Sequence, residues 1–456
     1  MSTVTAATFG RRKPGSGALD LGGIHARASG RNAERAARLW HVLLIGGAIA
    51  STTVFQKFVL PIGGDMPISL GLILIAGLTG AGLVAGRLVL HGPNLTLYLL
   101  IATALIGTQI IGGETFSAAS LALLLAIHLP YVFRFRDPLS DPHLPLRLYQ
   151  NVALFVSVAG ILQFLAQFAI GWQNAFLLDT AVPEGFIDPG YHQLNPIGSS
   201  GHLYKANGFF MLEASLLSQA AAVALLIELL WFRRPFRYFV YAAAMVVAYS
   251  GTGVMLLALL VPIMAVRRGR FDLLMLAVAA VMLIRAFADD LHLTMFFDRE
   301  GEFSNIRSSG FARFISPFYL IDDFQIGDVP HLLWGYGAGN ITRMNSITYY
   351  LIHDPTWGKM IFEYGAVGAL VYFPCFVRLL KPRDHNGYLV LALLVQYLVM
   401  GGYLLTPVVH ALFLALLVWP WPAADGMPRR SAPERFRRAV RHEPYFEPTR
   451  QPAAGS

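Results

Sequence analysis

The sequence predicts an all-α polytopic membrane protein with about 12 transmembrane helices. Hydrophobic residues make up 55% of the 456 residues and charged residues only 14%, well below the roughly 25% usual in soluble domains. The apolar residues fall in runs close to the roughly 20 residues that a helix needs to cross a bilayer. The loops between the runs alternate between Arg-rich and sparsely basic, and basic loops stay on the cytoplasmic side. Both termini are therefore expected in the cytoplasm.

Each predicted span is an apolar run bounded by Gly, Pro or charged residues. The spans cover residues 39–59, 67–90, 94–112, 117–133, 148–170, 208–232, 236–249, 253–266, 271–288, 357–379, 388–405 and 407–420. Basic residues such as Arg87, Arg134 and Arg234 mark the inner loops. Two outer loops, 172–207 and 289–355, are far longer than ordinary connections, and such loops are commonly binding loops or lids. We therefore expect the chemistry on the outer face, with residues 39–420 as the membrane domain.

The two terminal segments are predicted to be disordered and cytoplasmic. Residues 1–38 are rich in Gly, Ala and Arg, and residues 421–456 are rich in Pro and Arg. Such compositions bury too little apolar surface to fold alone. No clear small-residue cleavage site follows the first apolar run, so we expect that run to be retained as a span.

The charge pattern points to a membrane rather than to nucleic acid. The formal net charge is +8, but the basic residues form short clusters between apolar runs. That arrangement is typical of membrane topology and of contact with anionic membrane lipids, and we expect no nucleic-acid partner. The single Cys375 excludes an intrachain disulfide and a Cys-based metal site.

Eight lysines and arginines fall outside the predicted cytoplasmic segments. They are Lys57, Lys205, Arg285, Arg299, Arg307, Arg313, Arg343 and Lys359. Most lie in or beside the second long outer loop, against the usual bias of basic residues toward the cytoplasm. Anion binding is the simplest reason to keep them there, because Arg offers a two-pronged donor to phosphate. The alternative is that they pair with acidic residues of the same loop.

Acidic and basic residues also mark the places where the outer loops enter spans. Lys205 precedes the sixth predicted span, and Glu213 is expected within two turns of that helix's start. A carboxylate inside a membrane helix is costly unless it is paired or hydrated, which makes Glu213 a functional candidate with Lys205 as a possible partner. His353 stands just before the tenth span, and Glu363 lies about two turns deeper.

A Gly-rich turn lies between Arg313 and His353. It reads Gly335-Tyr336-Gly337-Ala338-Gly339. The turn follows no predicted buried strand and opens no dinucleotide-binding unit, so we do not expect nucleotide binding there.

Taken in order, these motifs resemble those of the Wzy-type O-antigen and exopolysaccharide polymerases and the related O-antigen ligases. The matching stretches are Lys205 to Ser215, Ser250-Gly251-Thr252-Gly253, Arg313, Gly335 to Gly339, His353, and Glu363-Tyr364-Gly365-Ala366-Val367-Gly368. The likeness covers about residues 200–370. The chain departs from the family pattern where Lys205 replaces the commoner Arg, Ala214 the usual Pro, and Asp354 the usual Asn.

The resemblance implies glycosyl transfer at the periplasmic face of a bacterial inner membrane. The protein would polymerise undecaprenyl-diphosphate-linked oligosaccharide repeat units into a long exopolysaccharide or O-antigen. Arg313, with Lys205 and Arg307, would neutralise the diphosphate leaving group, which is an electrostatic role of the kind that contributes most to catalysis. His353, which we prefer, or Glu213 would accept the proton of the acceptor hydroxyl.

The resemblance also implies the remaining ligands and partners. Arg299, Arg343 and Glu363 are further candidate substrate-binding residues. The acidic pairs Asp289-Asp290 and Asp322-Asp323 lack the spacing of a metal-binding motif, so we expect catalysis without a metal or other cofactor. Membrane lipids and a chain-length regulator or polysaccharide export complex are the expected partners besides the lipid-linked substrate.

Three alternatives remain open at the level of sequence. An O-antigen ligase would use the same donor but transfer the glycan to the lipid A core. A lipid-linked oligosaccharide flippase or transporter would need charges near mid-membrane and interrupted helices. A structural partner of an export machine would have little use for the cations of the outer loop.

Overall fold

The computed structural model describes residues 21–61, 68–189, 194–197, 203–269, 303–380 and 387–420, together with residues 271, 272, 275 and 282; side chains of the first helix are described from residue 34. These residues are mostly helical. The helices are α1 (Leu21–Thr53), α2 (Leu70–Val84), α3 (Gly92–Gly112), α4 (Ala118–His128), α5 (Leu144–Ile170), α6 (Trp172–Ala175), α7 (Leu177–Ala181), α8 (Ala214–Ile227), α9 (Pro235–Val247), α10 (Gly251–Arg268), α11 (Ser309–Phe314), α12 (Ser316–Phe324), α13 (Val329–Trp334), α14 (Ile341–Met344), α15 (Thr356–Leu380), α16 (Gly387–Val399) and α17 (Pro407–Phe413).

Short turns of other helical types extend several of these helices. A 3-10 turn, Leu129–Val132, follows α4, and π-helical turns, Glu228–Phe232 and Leu414–Val418, follow α8 and α17. Another 3-10 turn, Glu184–Phe186, lies in the first long loop.

Two antiparallel strand pairs join the loops between helices. β1 (Val59–Leu60) pairs with β2 (Ile68–Ser69) between α1 and α2. β3 (Leu88–Leu90) pairs with β4 (Phe133–Phe135), with Val89 opposite Arg134. The second pair therefore joins two loops that the sequence predicts on the same, cytoplasmic side.

The helices have the length and composition of a membrane protein. Within the described parts of the chain, four are long and apolar enough to cross a bilayer: Gly92–Gly112, Leu144–Ile170, Ala214–Phe232 and Thr356–Leu380. Six shorter apolar helices accompany them. Eleven of the predicted spans overlap helices, four of which have the length and composition to cross a bilayer, while most of the ninth, 271–288, lies outside the described residues.

Among the four long apolar helices of the described residues, the one formed by α8 and its π-helical turn is the most buried. α8 packs against α5, α9, α10 and α16. Small residues such as Ala221 and Ala222 are completely buried in it, and small side chains let neighbouring helices approach closely. α15 packs against α3, and α1 packs against α2, α5 and α17. The functional candidates at the start of α8 and of α15 therefore stand on well-packed helices.

Several helix boundaries differ from the sequence-based prediction, the following three among them. α1 begins at Leu21, inside the segment 1–38 predicted to be disordered, because its Ala and Arg residues favour a helix that continues into the apolar span. α2 ends at Val84, before a left-handed Gly86, and β3 takes the remaining residues of the predicted span. α8 begins at Ala214 instead of 208, so Glu213 lies at the helix boundary and not inside the helix.

Candidate functional site

The segment before α8 turns sharply and thereby sets the position of Glu213. Gly208 and Phe209 have φ angles of 67° and 64°, so two successive residues adopt the left-handed region that favours glycine. A Cβ atom on Gly208 would stand 2.9 Å from the carbonyl oxygen of Val156 on α5. The turn therefore needs glycine at 208 and close packing on α5.

Buried polar side chains hold this turn in place. Oε1 of Gln163 accepts hydrogen bonds from the backbone N–H groups of Asn207 (3.0 Å) and Gly208 (2.9 Å). Nζ of Lys57 donates to the carbonyl oxygen of Phe209 (2.8 Å) and pairs with Asp179 (2.5 Å). Lys57 and Asp179 are almost completely buried, and Asp179 also accepts from the amide of Asn207. Lys57, which the sequence predicts outside the cytoplasm, therefore pairs with an acidic residue of the first long loop.

The entry segment presents Glu213 to Arg313 of the second long loop. Their side chains form an ion pair with an N–O distance of 3.6 Å, and they are 17% and 18% exposed. Oε2 of Glu213 also accepts a hydrogen bond from the Ser215 hydroxyl at 2.9 Å. Arg313 lies in the last turn of α11, whose first turn is capped by the hydroxyl of Ser308. Two predicted catalytic residues, 100 positions apart in the chain, are therefore in contact, and the observed cation partner of Glu213 is Arg313.

The turn between α9 and α10 packs against the first turn of α8. The hydroxyl of Thr252 donates to the carbonyl oxygen of Ser215 at 3.2 Å, and the hydroxyl of Ser218 donates to the carbonyl oxygen of Ser250 at 3.0 Å. A Cβ atom on Gly253 would stand only 2.3 Å from the carbonyl oxygen of Ser218. The Ser-Gly-Thr-Gly motif thus supports the helix start that carries Glu213.

The backbone of His353 is hydrogen-bonded to the chain segment that carries Arg313. Its N–H group donates to the carbonyl oxygen of Ala312 at 3.1 Å, one residue before Arg313. The His353 side chain is half-buried. The structure therefore brings the backbone of the predicted base to the residue before Arg313, whose side chain pairs with Glu213.

Asp354, the residue after His353, belongs to a charge cluster with the buried residues Lys359 and Glu363. Nζ of Lys359 lies 2.7 Å from the carboxylate of Asp354 and 3.5 Å from that of Glu363. Lys359 is 6% exposed and Glu363 is completely buried. Gly402 packs against this cluster, since a Cβ atom there would stand 2.6 Å from Oδ1 of Asp354. Lys359, which sequence analysis noted only as an outer cation, therefore anchors the segment that carries His353.

Glu363, predicted as a substrate-binding residue, is completely buried among protein groups. Its carboxylate accepts from the backbone N–H of Ile341 at 3.3 Å, and its carbonyl oxygen accepts from Gly337 at 3.1 Å. A Cβ atom on Gly335 would stand 2.5 Å from the Glu363 backbone. Gly365 has a φ of 68° and interrupts α15. The two glycine motifs thus pack backbone against backbone, and Glu363 joins them.

The Gly-rich turn also reaches the short turn between α3 and α4. The amide of Asn340 donates to the carbonyl oxygen of Thr115 at 2.7 Å.

His331 bridges Asp328 (2.6 Å) and Glu114 (3.1 Å) through its two ring nitrogens. Burial acts to lower the pKa of His331, but the hydrogen bonds to Asp328 and Glu114 outweigh burial and raise it. This contact, which sequence analysis did not predict, joins two segments expected on the outer face.

The other predicted substrate-binding cations lie farther out in the loops. Lys205 is half-buried, and its backbone N–H donates to Asn195 at 2.9 Å. Arg307 and Arg343 are exposed; Arg307 lines a cleft described below, and Arg343 ends α14. Arg299 lies outside the described residues. Within the described ranges, no group of three or more His, Cys, Asp and Glu residues has the arrangement of a metal site.

Comparison of the chain with protein-family models and with curated proteins gives no match.

Proposed function

We propose that this chain is a membrane-embedded polysaccharide polymerase that acts on undecaprenyl-diphosphate-linked repeat units at the periplasmic face of a bacterial inner membrane. The observation that carries the proposal is the contact between Glu213 and Arg313, with the backbone of His353 bonded beside Arg313. These are the three residues to which the motif resemblance assigns the chemistry. The protein family, the lipid-linked substrate and the cellular compartment are all part of what we propose.

The proposed topology has twelve spans with both termini in the cytoplasm. Contacts between loops support the sidedness. Two loops predicted inside, around Arg87 and Arg134, form the β3–β4 pair. Segments predicted outside, including Glu114, His331 and Lys57, contact one another or the entry to α8.

In the proposed reaction, a hydroxyl of the lipid-linked acceptor attacks the anomeric carbon of the donor glycan. The new C–O bond forms as the bond from that carbon to the diphosphate oxygen breaks, and undecaprenyl diphosphate leaves with the bonding electron pair. Arg313 binds the diphosphate and neutralises its developing charge. His353 accepts the proton of the attacking hydroxyl. Because Glu213 already pairs with Arg313, its proposed role is to orient the guanidinium.

The remaining residues support this arrangement. Lys359 holds Asp354 and thereby the segment carrying His353. Gln163 and Lys57 hold the turn that presents Glu213. The proposed partners are a chain-length regulator or a polysaccharide export complex, since a polymer made at this face must be measured and removed.

The test is complementation of a clean deletion strain with wild-type protein and with Arg313→Ala. Loss of one preorganised charge donor slows comparable reactions by about 10²–10³-fold, so long glycan should disappear while single lipid-linked repeat units accumulate outside. Arg267→Ala, which removes an exposed cation at the predicted inner end of α10, is the matched control and should behave as wild type. Both variants should be present in the membrane at wild-type levels.

Three other outcomes would overturn the proposal. A normal chain-length distribution with Arg313→Ala would refute the role of the ion pair. Long lipid-linked polymer that accumulates without reaching lipid A in the deletion strain would identify a ligase. Repeat units trapped on the cytoplasmic leaflet would identify a flippase.

A further inference from the structure

A cleft of about 330 Å³ opens in the second long loop, and neither Glu213 nor Arg313 lines it. It is lined by Arg307, Asn345, Thr348, Tyr349, Tyr350 and Leu351. Its volume lies at the lower end of the roughly 300–1,000 Å³ typical of small-molecule sites. The motif resemblance assigned only Arg307 of these residues to substrate, and assigned it to the diphosphate.

The cleft is built on a fixed framework. The Tyr350 side chain is 3% exposed and its hydroxyl donates to Asp323 at 3.0 Å. Its ring packs against those of Phe311 and Tyr319, with centroids 6.3 Å and 5.9 Å away. Thr348 donates its hydroxyl to the backbone oxygen of Met344 at 3.0 Å. The walls are therefore held by contacts within the loop, as a preformed site requires.

The groups that remain at the surface of the cleft suit a saccharide. Tyr349 is 71% exposed and offers an aromatic face on which the C–H face of a sugar ring can lie, with a hydroxyl at its edge. Arg307 offers up to five N–H donors to hydroxyl or carboxylate oxygens. Because Oδ1 of Asn345 accepts from the backbone N–H of Ile352 at 3.0 Å, the Nδ2 group of Asn345 is the part that can donate to a ligand.

The cleft is connected to the site around His353 by two backbone hydrogen bonds. The N–H of Leu351 donates to Ile306 at 3.0 Å, and the N–H of His353 donates to Ala312 at 3.1 Å. The same extended stretch thus lines the cleft at Leu351 and reaches the predicted base two residues later. Even a fully extended chain covers only about 3.3–3.6 Å per residue, so at most about 7 Å of backbone separates the two points.

From this geometry we infer that the cleft lined by Arg307 and Tyr349 is a saccharide subsite, which holds a sugar unit next to the one that carries the reacting hydroxyl. Arg307 therefore binds the glycan rather than the diphosphate. The link to chain elongation rests on the proposed polymerase function, whereas saccharide binding by the cleft does not.

The test measures binding directly, on purified full-length protein in lipid nanodiscs. The probe is a set of lipid-free oligosaccharides of one to three repeat units, prepared by partial hydrolysis of the surface polysaccharide of the host strain. Tyr349→Ala and Arg307→Ala should each weaken binding by about tenfold or more, and Tyr349→Phe should retain it because the aromatic face remains. Ile347→Ala is the matched control, since Ile347 is 67% exposed in the same loop and does not line the cleft.

The same variants are then compared in the deletion strain. Weakened binding together with shorter glycan chains, with single lipid-linked repeats still consumed, supports the subsite. Oligosaccharide binding that is unchanged in both alanine variants, or absent in wild type, overturns it even where the deletion abolishes polymer. If the deletion leaves polymer intact but binding still depends on Tyr349 and Arg307, the subsite stands and the polymerase proposal falls.

Discussion

Replacing Lys359 with methionine tests how strongly the buried charges beside His353 stabilise the protein. Methionine keeps most of the side-chain length but removes the cation that lies 2.7 Å from Asp354 and 3.5 Å from Glu363. Asp354 is 40% exposed and can be hydrated, whereas Glu363 is completely buried. Removing one partner of a buried ion pair costs about 3–5 kcal/mol, which is roughly a 140- to 3,700-fold change in the folding equilibrium at about 1.4 kcal/mol per factor of ten.

The assay is denaturant unfolding in detergent micelles, followed by intrinsic fluorescence. The double variant Lys359→Met with Glu363→Gln removes the unpaired buried charge as well as the cation, so it should recover most of the lost free energy of unfolding. Arg343→Met removes an exposed cation of the same loop and should change stability by no more than about 0.5 kcal/mol.

Two results would refute this reasoning. If Lys359→Met unfolds at the same denaturant concentration as wild type, the buried pair contributes nothing to stability. If the double variant is as unstable as the single one, the loss comes from packing and not from the unpaired carboxylate of Glu363.

Two further predictions concern Gly365 in α15 and His331 in the second long loop. Gly365→Ala should prevent correct folding, because the residue has a φ of 68° and its Cβ would lie 2.2 Å from the carbonyl oxygen of Leu333. Gly77→Ala is the control and should fold normally, because a Cβ there meets nothing within 4 Å. Size-exclusion profiles of the two variants measure the difference. The raised pKa of His331 means that its contact with Glu114 is strongest below the ordinary pKa of 6.5 and weakens as pH rises through the raised pKa. The protection factors of the amides of residues 336–340, which correct for the intrinsic rise of exchange with pH, should therefore fall over that pH range, and His331→Gln should remove this fall.

Hydrophobic patterning alone predicted most of the helices of this protein. A helix satisfies its own backbone hydrogen bonds, which makes it the form that an apolar run takes in a membrane. For that reason the predicted span 357–379 and the helix Thr356–Leu380 nearly coincide. Where a boundary depends on a local turn, as at Glu213, the prediction was several residues off, because the left-handed pair at 208–209 leaves no periodic signal.

The motifs likewise pointed to residues that the fold brings together, but not to what holds them. Glu213, Arg313 and His353 were chosen from sequence. In the structure the side chains of Glu213 and Arg313 form an ion pair, and the backbone N–H of His353 bonds to the residue before Arg313. Gln163 carried a detectable signal, since a glutamine within an apolar span needs a partner. Which partner it has, the turn at Asn207 and Gly208, depends on how α5 packs against a segment 44 residues away.

The sequence by itself therefore predicted the apolar helices of a membrane protein and singled out a short set of charged residues in the two long loops and beside them, because these depend on composition and on spacing along one chain. Only the tertiary structure decided which charges pair, that Glu363 is buried between two glycine turns, and that Arg307 faces a cleft with Tyr349. Ion pairs and clefts are formed by residues far apart in the chain, and their energies depend on burial and on distances of a few ångströms.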